Sequence, residues 1–229
     1  METVMVNWSG GKDSTAAIIK YKEAQKYKIK ARIYIPYFNK KTPLISKEQF
    51  NFIKKTIEIF KTWGIKVYIA KGITYKDLVL HEITKGKNKG KVMGFPIPHA
   101  QCCDFKNYSK IKAIKKVKTK YDFEDIGIAY DETKRKNQLN NKTRSILNEL
   151  KITEKEAFEI CKTYNLISPH YKEEKRDGCA LCPNANAKRR EKWYNDYPNA
   201  KKELNKLEKI IYIKRKERNP LRNGKWFTL

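Results

Sequence analysis

The chain has 229 residues, in which 52 Lys and Arg against 25 Asp and Glu give a formal charge of +27 at pH 7. Its length suffices for one well-cored α/β domain with a small appendage, and no apolar stretch nears the ~18 residues of a membrane span. A soluble, cytoplasmic protein without a secretory leader is expected. The charge suits a polyanionic partner such as DNA or tRNA, yet 43 of the basic residues are Lys and nine are Arg. Lysine lacks the planar fork that reads phosphates and bases, so the excess is either a phosphate-binding surface or a set of solvated faces reflecting biased codon supply.

Residues 4–8 predict a buried strand, a glycine turn follows at 9–14, and a helix then runs to about Tyr27. Residues 31–37 predict a second strand, and Ser46 caps a helix with Phe50, Ile53, Ile57 and Phe60 on its apolar face, ending at Gly64. A third strand at 65–69, a short helix at 75–83 and an irregular loop at 85–98 come next. A lysine-rich helix is expected at 108–121 and a fourth strand at 125–130. Thr153 and Glu156 form a capping box ahead of a helix whose face carries Ala157, Ile160, Cys161 and Tyr164. Beyond about residue 185 the chain is basic and helical, with Lys188, Arg189 and Arg190 ahead of Trp193, Tyr194 and Tyr197. Those aromatics suit either base stacking or packing on the core. The alternation predicts an α/β fold, a mostly parallel sheet with helices on both faces, spanning 1–185, with a basic helical extension at 186–229.

The turn after the first strand reads Ser9, Gly10, Gly11, Lys12, Asp13, Ser14. Glycines let the backbone approach phosphate oxygens, and N–H groups at a helix start point at negative charge. Ser9 and Ser14 add hydroxyls, Lys12 a cation, and Asp13 a ligand for a magnesium ion shared with the phosphates. The common nucleotide loop is excluded, because Val6 and Asp13 stand where it needs glycine and Ser or Thr. In a parallel sheet ligands bind beyond the carboxyl ends of the strands, where Asp131 and Glu132 also fall.

Cys102 and Cys103 are adjacent, Cys161 is alone, and Cys179 and Cys182 form a C-x-x-C. In an intracellular chain such groupings indicate metal or redox work. Four thiolates close either a [4Fe–4S] cluster or a tetrahedral zinc site, and the adjacent pair better suits two corners of the cluster. Cys161, on a helix stripe, reads as a small buried hydrophobe.

The Ser-Gly-Gly-Lys-Asp-Ser loop resembles the pyrophosphate-binding loop of the adenine nucleotide α-hydrolase (PP-loop) superfamily, whose members cleave ATP between the α and β phosphates, usually to adenylate a substrate. Cys-Cys followed by C-x-x-C resembles the cluster site of adenylyl-sulfate reductases. Residues 127–135 are similar to the phosphoadenylyl-sulfate reductase family segment in which a strand ends in an acid, a hydroxyl residue and an arginine, matched by Glu132, Thr133 and Arg135. Residues 168–171, 176–179 and 182–184 resemble that family's approach to its cysteine pair. The resemblance implies ATP and Mg2+ bound by Ser9, Gly10, Gly11, Lys12, Asp13, Ser14, Glu132 and Thr133, with Lys12, Asp13 and Arg135 catalytic. It implies a [4Fe–4S] cluster on Cys102, Cys103, Cys179 and Cys182, with zinc as the alternative. His99 and Arg144 are further candidate anion contacts.

Two departures shape the expected activity. The reductases attack sulfur with a cysteine near the C-terminus, and this chain has none after Cys182. An intact loop is what ATP-using members carry. The expectation is therefore adenylation for sulfur transfer, on nucleic acid and with a sulfur-donor protein. A reductase of adenylyl sulfates and a non-catalytic nucleotide-binding protein are the alternatives.

Overall fold

The computed structural model describes residues 1–96, 98–99, 102–172, 178–183 and 185–215. The side chains of His99 and Cys102, and all of Arg176, Asp177, Asn184 and residues 216–229, lie outside the described residues. In chain order come β1 (Glu2–Asn7), α1 (Lys12–Ala24), β2 (Tyr27–Tyr34), α2 (Lys47–Thr62), β3 (Lys66–Ala70) and α3 (Tyr75–Val79). Next are β4 (Pro98–His99), β5 (Cys102–Cys103), a π-helical stretch (Lys106–Ile111) leading into α4 (Lys112–Lys116), and β6 (Phe123–Asp125). A 3-10 turn (Thr133–Gln138), β7 (Thr143–Arg144), α5 (Ile146–Glu149), α6 (Glu154–Thr163), a second 3-10 turn (Pro169–Lys172), α7 (Ala187–Asp196) and α8 (Pro198–Arg215) complete it.

The chain forms two compact units that are each discontinuous in sequence. The first comprises Met1–Tyr34, Asn51–Ala70 and Lys116–Asp177. It holds a five-stranded sheet in the order β3-β2-β1-β6-β7, every neighbouring pair parallel, with helices around it. Three consecutive β1 residues, Val4, Met5 and Val6, have no exposed surface, as expected of a central strand covered on both faces. Helix α1 presents Ala16, Ala17, Ile18 and Ile19 to the interior and packs against α5 and α6. The capping box forms as predicted: Glu156 N–H donates to Thr153 Oγ1 at 3.3 Å, and Thr153 N–H donates to the Glu156 carboxylate at 2.8 Å.

Several boundaries differ from the sequence expectation. Helix α1 stops at Ala24, because Gln25 turns left-handed (φ 52°) and Tyr27 already pairs with Glu2 in the sheet. The expected strand at 125–130 is really Phe123–Asp125. The buried Asp125 carboxylate ends it by accepting Gly127 N–H at 2.7 Å, Ile146 N–H at 2.7 Å and the Tyr21 hydroxyl at 3.0 Å, while Gly127 bends away at φ 51°. Strand β7, two residues long, carries no periodic signal and was not anticipated. The lysine-rich helix begins earlier, at Lys106, and ends at Lys116.

The second unit comprises Ile35–Phe50, Lys71–Lys115 and Gly178–Leu229. Its core gathers Phe38, Tyr75, Phe95, Phe105 and Trp193 with aliphatic residues of α3 and α8. Trp193 resolves the choice left open for the basic extension. It is fully buried, meets Phe38 edge-on at 5.5 Å and donates from Nε1 to the Pro43 carbonyl at 2.8 Å. Tyr194 and Tyr197, partly buried, pack beside it, so these aromatics belong to the core. Among the described residues no helix is long and apolar enough to cross a membrane.

Candidate functional site

Strand β1 leads by way of β2 to β3 on one side, while β6 and β7 extend the sheet on the other. The order therefore reverses between β1 and β6, and a crevice is expected at their carboxyl ends. Residues 9–14 follow β1 there. Gly10 adopts φ 83°, and Gly11 caps α1 with extended backbone and no side-chain hydrogen bond. Ser14 Oγ accepts Ser9 N–H at 3.0 Å, lies 3.1 Å from Ser9 Oγ and donates to the Gly11 carbonyl at 3.2 Å. Thr15 Oγ1 donates to the same carbonyl at 2.9 Å and is held by Trp8 Nε1 at 2.9 Å. The loop's shape is thus set from below by α1 and β1 without any bound group.

The turn after β6 is pressed against this loop. A Cβ on Gly127 would stand 2.8 Å from Ser14 Cα and 2.9 Å from Ser14 N, so only glycine permits the approach. That approach brings the 127–132 turn to the start of α1. Asp13, Glu132 and Glu154 each offer a carboxylate oxygen, all within 4.8 Å of one another. Lys12 Nζ lies 2.8 Å from Asp13 and 3.3 Å from Glu154. Burial pushes the Asp13 carboxyl above the usual carboxylate range; the Lys12 hydrogen bond opposes this and the Glu154 and Glu132 charges add to it. Burial works against the Lys12 charge as well, but the hydrogen bond and charge of Asp13, with Glu154, outweigh it and hold the ammonium protonated more firmly than usual. Three converging carboxylates, two of them on the Lys12 ammonium, make a set of hard oxygen donors that a divalent cation could share with phosphates.

Arg135 Nη1 reaches both Glu132 oxygens, at 2.9 and 3.0 Å, and Glu132 also accepts Ala129 N–H at 3.3 Å. Thr133 is exposed at the start of the 3-10 turn. Arg144 lies over the Phe123 ring at 4.3 Å, on β7. Two participants are not among the loop residues expected from the sequence. Glu154 looked like an ordinary first-turn acid of α6, and Tyr171, whose hydroxyl accepts Lys12 N–H at 2.9 Å, lies 159 positions away. Cys161, by contrast, fits its reading. Its thiol is buried, donates to the Lys12 carbonyl at 3.2 Å, and is pushed up to about 12 by burial with the Asp13 charge adding. A thiol so held is a poor nucleophile.

The other cysteines lie in the second unit. Strand β5 pairs antiparallel with β4, Cys103 opposite Pro98 and Cys102 opposite His99. The Cys103 sulfur is partly buried, which raises its pKa, and it accepts the backbone N–H groups of Lys106 and Phe105 at the head of the following helix. Cys179 and Cys182 share a tight turn, with Cys182 N–H donating to the Cys179 carbonyl at 3.1 Å. Ala180 N–H pins that turn to the Leu44 carbonyl at 2.8 Å. Tyr75 is buried among Phe95 and Phe105, and Cys103 and Cys179 pack on the same apolar cluster. Its hydroxyl is buried with no hydrogen-bond partner among the described residues, and burial, with Cys103 and Cys179 adding, pushes the phenol well up. Cys103 and Cys179 therefore pack on the same cluster as this hydroxyl, and the sulfurs of Cys103, Cys179 and Cys182 do not all lie within 4.8 Å of one another. Soft sulfur donors and two N–H groups aimed at one sulfur fit a thiolate-bound metal centre.

No protein-family model matches the chain, and no curated protein matches it. Among solved structures it is similar to the U34-tRNA thiolase NcsA from Methanococcus maripaludis with its [4Fe-4S] cluster, at 18% identity over 94% of this chain and 71% of that one, with a TM-score of 0.43. It is also similar to a predicted subunit of tRNA methyltransferase from Methanocaldococcus jannaschii, at 16% identity over 74% of this chain and 92% of that one, with a TM-score of 0.31. Both likenesses are distant.

Proposed function

We propose that the chain is an ATP-binding enzyme of the PP-loop type, similar to the phosphoadenylyl-sulfate reductase-like branch, that adenylates a substrate for sulfur transfer. One observation carries this reading: a glycine loop at the reversal point of a parallel sheet, with Asp13, Glu132 and Glu154 converging beside Lys12. The pyrophosphate of ATP would lie on Ser9, Gly10, Gly11 and Ser14, where backbone N–H groups and hydroxyls are already oriented. Lys12 would turn from its carboxylates to the leaving pyrophosphate, while Asp13 and Glu132, with Glu154, would hold Mg2+ against the same oxygens. Arg135, already at the rim on Glu132, would contact the substrate anion, and Thr133 would reach the nucleotide.

Nucleic acid is the acceptor class that the surface supports. Tyr130 is exposed two residues before Glu132 with Lys136 over its ring at 4.1 Å, and Lys134 and Arg135 stand beside it. A basic lip with an aromatic face suits phosphate contacts and base stacking. Cys102, Cys103, Cys179 and Cys182 would hold a [4Fe–4S] cluster, zinc being the alternative. When bound, a cluster capped by four thiolates supplies local electrostatics rather than an open iron. The reductase alternative lacks its central group, since the buried Cys161 thiol is committed to a carbonyl.

The test is ATP-dependent pyrophosphate release with an RNA acceptor. Lys12→Ala should lower it by ~10²–10³-fold, the loss typical of removing one preorganised electrostatic contact. Calorimetry that finds no ATP binding by the wild-type protein overturns the reading.

A further inference from the structure

The Tyr75 hydroxyl needs an explanation that packing does not supply. The ring meets Phe105 at 5.4 Å and lies nearly parallel to Phe95 at 6.4 Å, and phenylalanine would fill the same space. The residue cannot swing outward readily. It opens α3, whose cap Thr74 accepts Asp77 N–H, and its own N–H donates to the Tyr37 carbonyl at 2.8 Å. Yet its oxygen is buried with no partner. Tyr21 makes the contrast, being a buried tyrosine whose hydroxyl donates to Asp125 at 3.0 Å. A buried hydroxyl without a partner is unfavourable and persists where something absent from the polypeptide completes it.

The surroundings identify that partner. Cys103 and Cys179 pack on the apolar cluster that holds the Tyr75 ring, and Phe105, which that ring meets edge-on, gives its backbone N–H to the Cys103 sulfur. A phenol carries an O–H that can donate. A neutral thiol is a weak acceptor, whereas a metal-bound thiolate is a strong one.

Building on the proposed cysteine-bound metal centre, we infer that the Tyr75 hydroxyl donates a hydrogen bond to a thiolate sulfur of that centre and tunes its reduction potential. Hydrogen bonds to cluster sulfurs draw charge from the irons and favour the reduced state, so removing one makes reduction harder. Tyr75 is a positioning residue in this role, acting through the sulfur ligands.

The experiment compares the full-length wild type with Y75F and, as a control, Y21F, each reconstituted anaerobically with ferrous iron and sulfide and titrated with a chemical reductant. All three should take up equal iron. At the wild-type midpoint Y75F should be about tenfold more oxidised than reduced, which is ~59 mV for a one-electron couple, and Y21F should be unmoved. Without metal, Y75F should melt at a higher temperature than the wild type, because it no longer buries an unpartnered hydroxyl, and its gain on loading should be smaller. A Y75F potential equal to the wild type's overturns the inference and leaves the cluster reading standing. If the protein takes up zinc instead, Y75F should hold it roughly tenfold less tightly against a chelator, and equal retention overturns the inference. A wild type that takes up neither metal overturns both.

Discussion

The loop after β1 and the pocket around Tyr75 are both polar sites in otherwise apolar units, and they handle their polar groups in opposite ways. At the loop, Ser9, Ser14 and Thr15 are hydrogen-bonded within the turn, Lys12 pairs with Asp13 and Glu154, and Glu132 pairs with Arg135. Around Tyr75 the hydroxyl has no partner among the described residues, and Cys103 and Cys179 pack on the same apolar cluster. The difference concerns when each site becomes complete. The loop is preorganised, so a ligand exchanges existing contacts for its own. In the reading proposed above, the thiol pocket is completed by the metal centre it binds.

The largest effect should come from depriving the second site of its group. Cys179→Ser with Cys182→Ser should remove at least nine-tenths of the metal bound by the wild type, measured by iron, sulfide and zinc assay, since hydroxyls are poor ligands for these metals. ATP affinity by calorimetry should stay within about threefold, because preorganised loop contacts do not depend on the metal. A parallel loss of ATP binding would break the distinction between the two sites.

Next in size, Gly127→Ala should destabilise the protein by about 3 kcal/mol in urea melts, combining a left-handed backbone with a clash on Ser14. An unchanged midpoint would show that the loop does not rely on close packing of the 127–132 turn.

A subtler effect concerns Asp125. Burial is the largest influence on its carboxyl and raises it to about 6, although three donors oppose the rise. Its ordinary value is near 4, so between these limits the native state binds more protons than the unfolded one. The contribution is full below about pH 4 and is lost as the pH rises through 6. Relative to Asp125→Asn, the wild type should therefore lose about 2 kcal/mol between pH 4 and pH 7. A constant difference across urea melts in that range would show that the carboxyl titrates normally.

The smallest effect is expected at Cys161. Cys161→Ala should cost about 1 kcal/mol for a lost hydrogen bond and a little volume. Pyrophosphate release should be unchanged within about twofold. Loss of activity with folding intact would return Cys161 to the candidate nucleophiles.

The loop was legible because its function depends on short-range spacing: a strand, two glycines, a lysine and a hydroxyl within six positions. The cysteine set was legible because soft ligands in pairs are rare. Glu154 was hidden by its second role, since a first-turn acid stabilises α6 whether or not it faces Lys12. Tyr75 was hidden because a tyrosine is ordinarily core, and Tyr171, inside the 168–171 segment likened to the reductase family, carries nothing that places its hydroxyl on a loop 159 positions away. The end of β6 was misread because Ile126, Ile128 and Ala129 keep an apolar strand-like pattern, while the Asp125 clamp that breaks it closes onto Ile146.

Local spacing alone therefore marked the glycine loop, the α/β class and the thiol pairs, since each depends on residues a few positions apart. Folding chose which acids face Lys12, which tyrosine hydroxyl stays unpaired near sulfur, and which aromatics of the basic extension are buried. These are contacts between segments 30 to 160 residues apart, where the energy of burying a polar group depends on neighbours that no local pattern records.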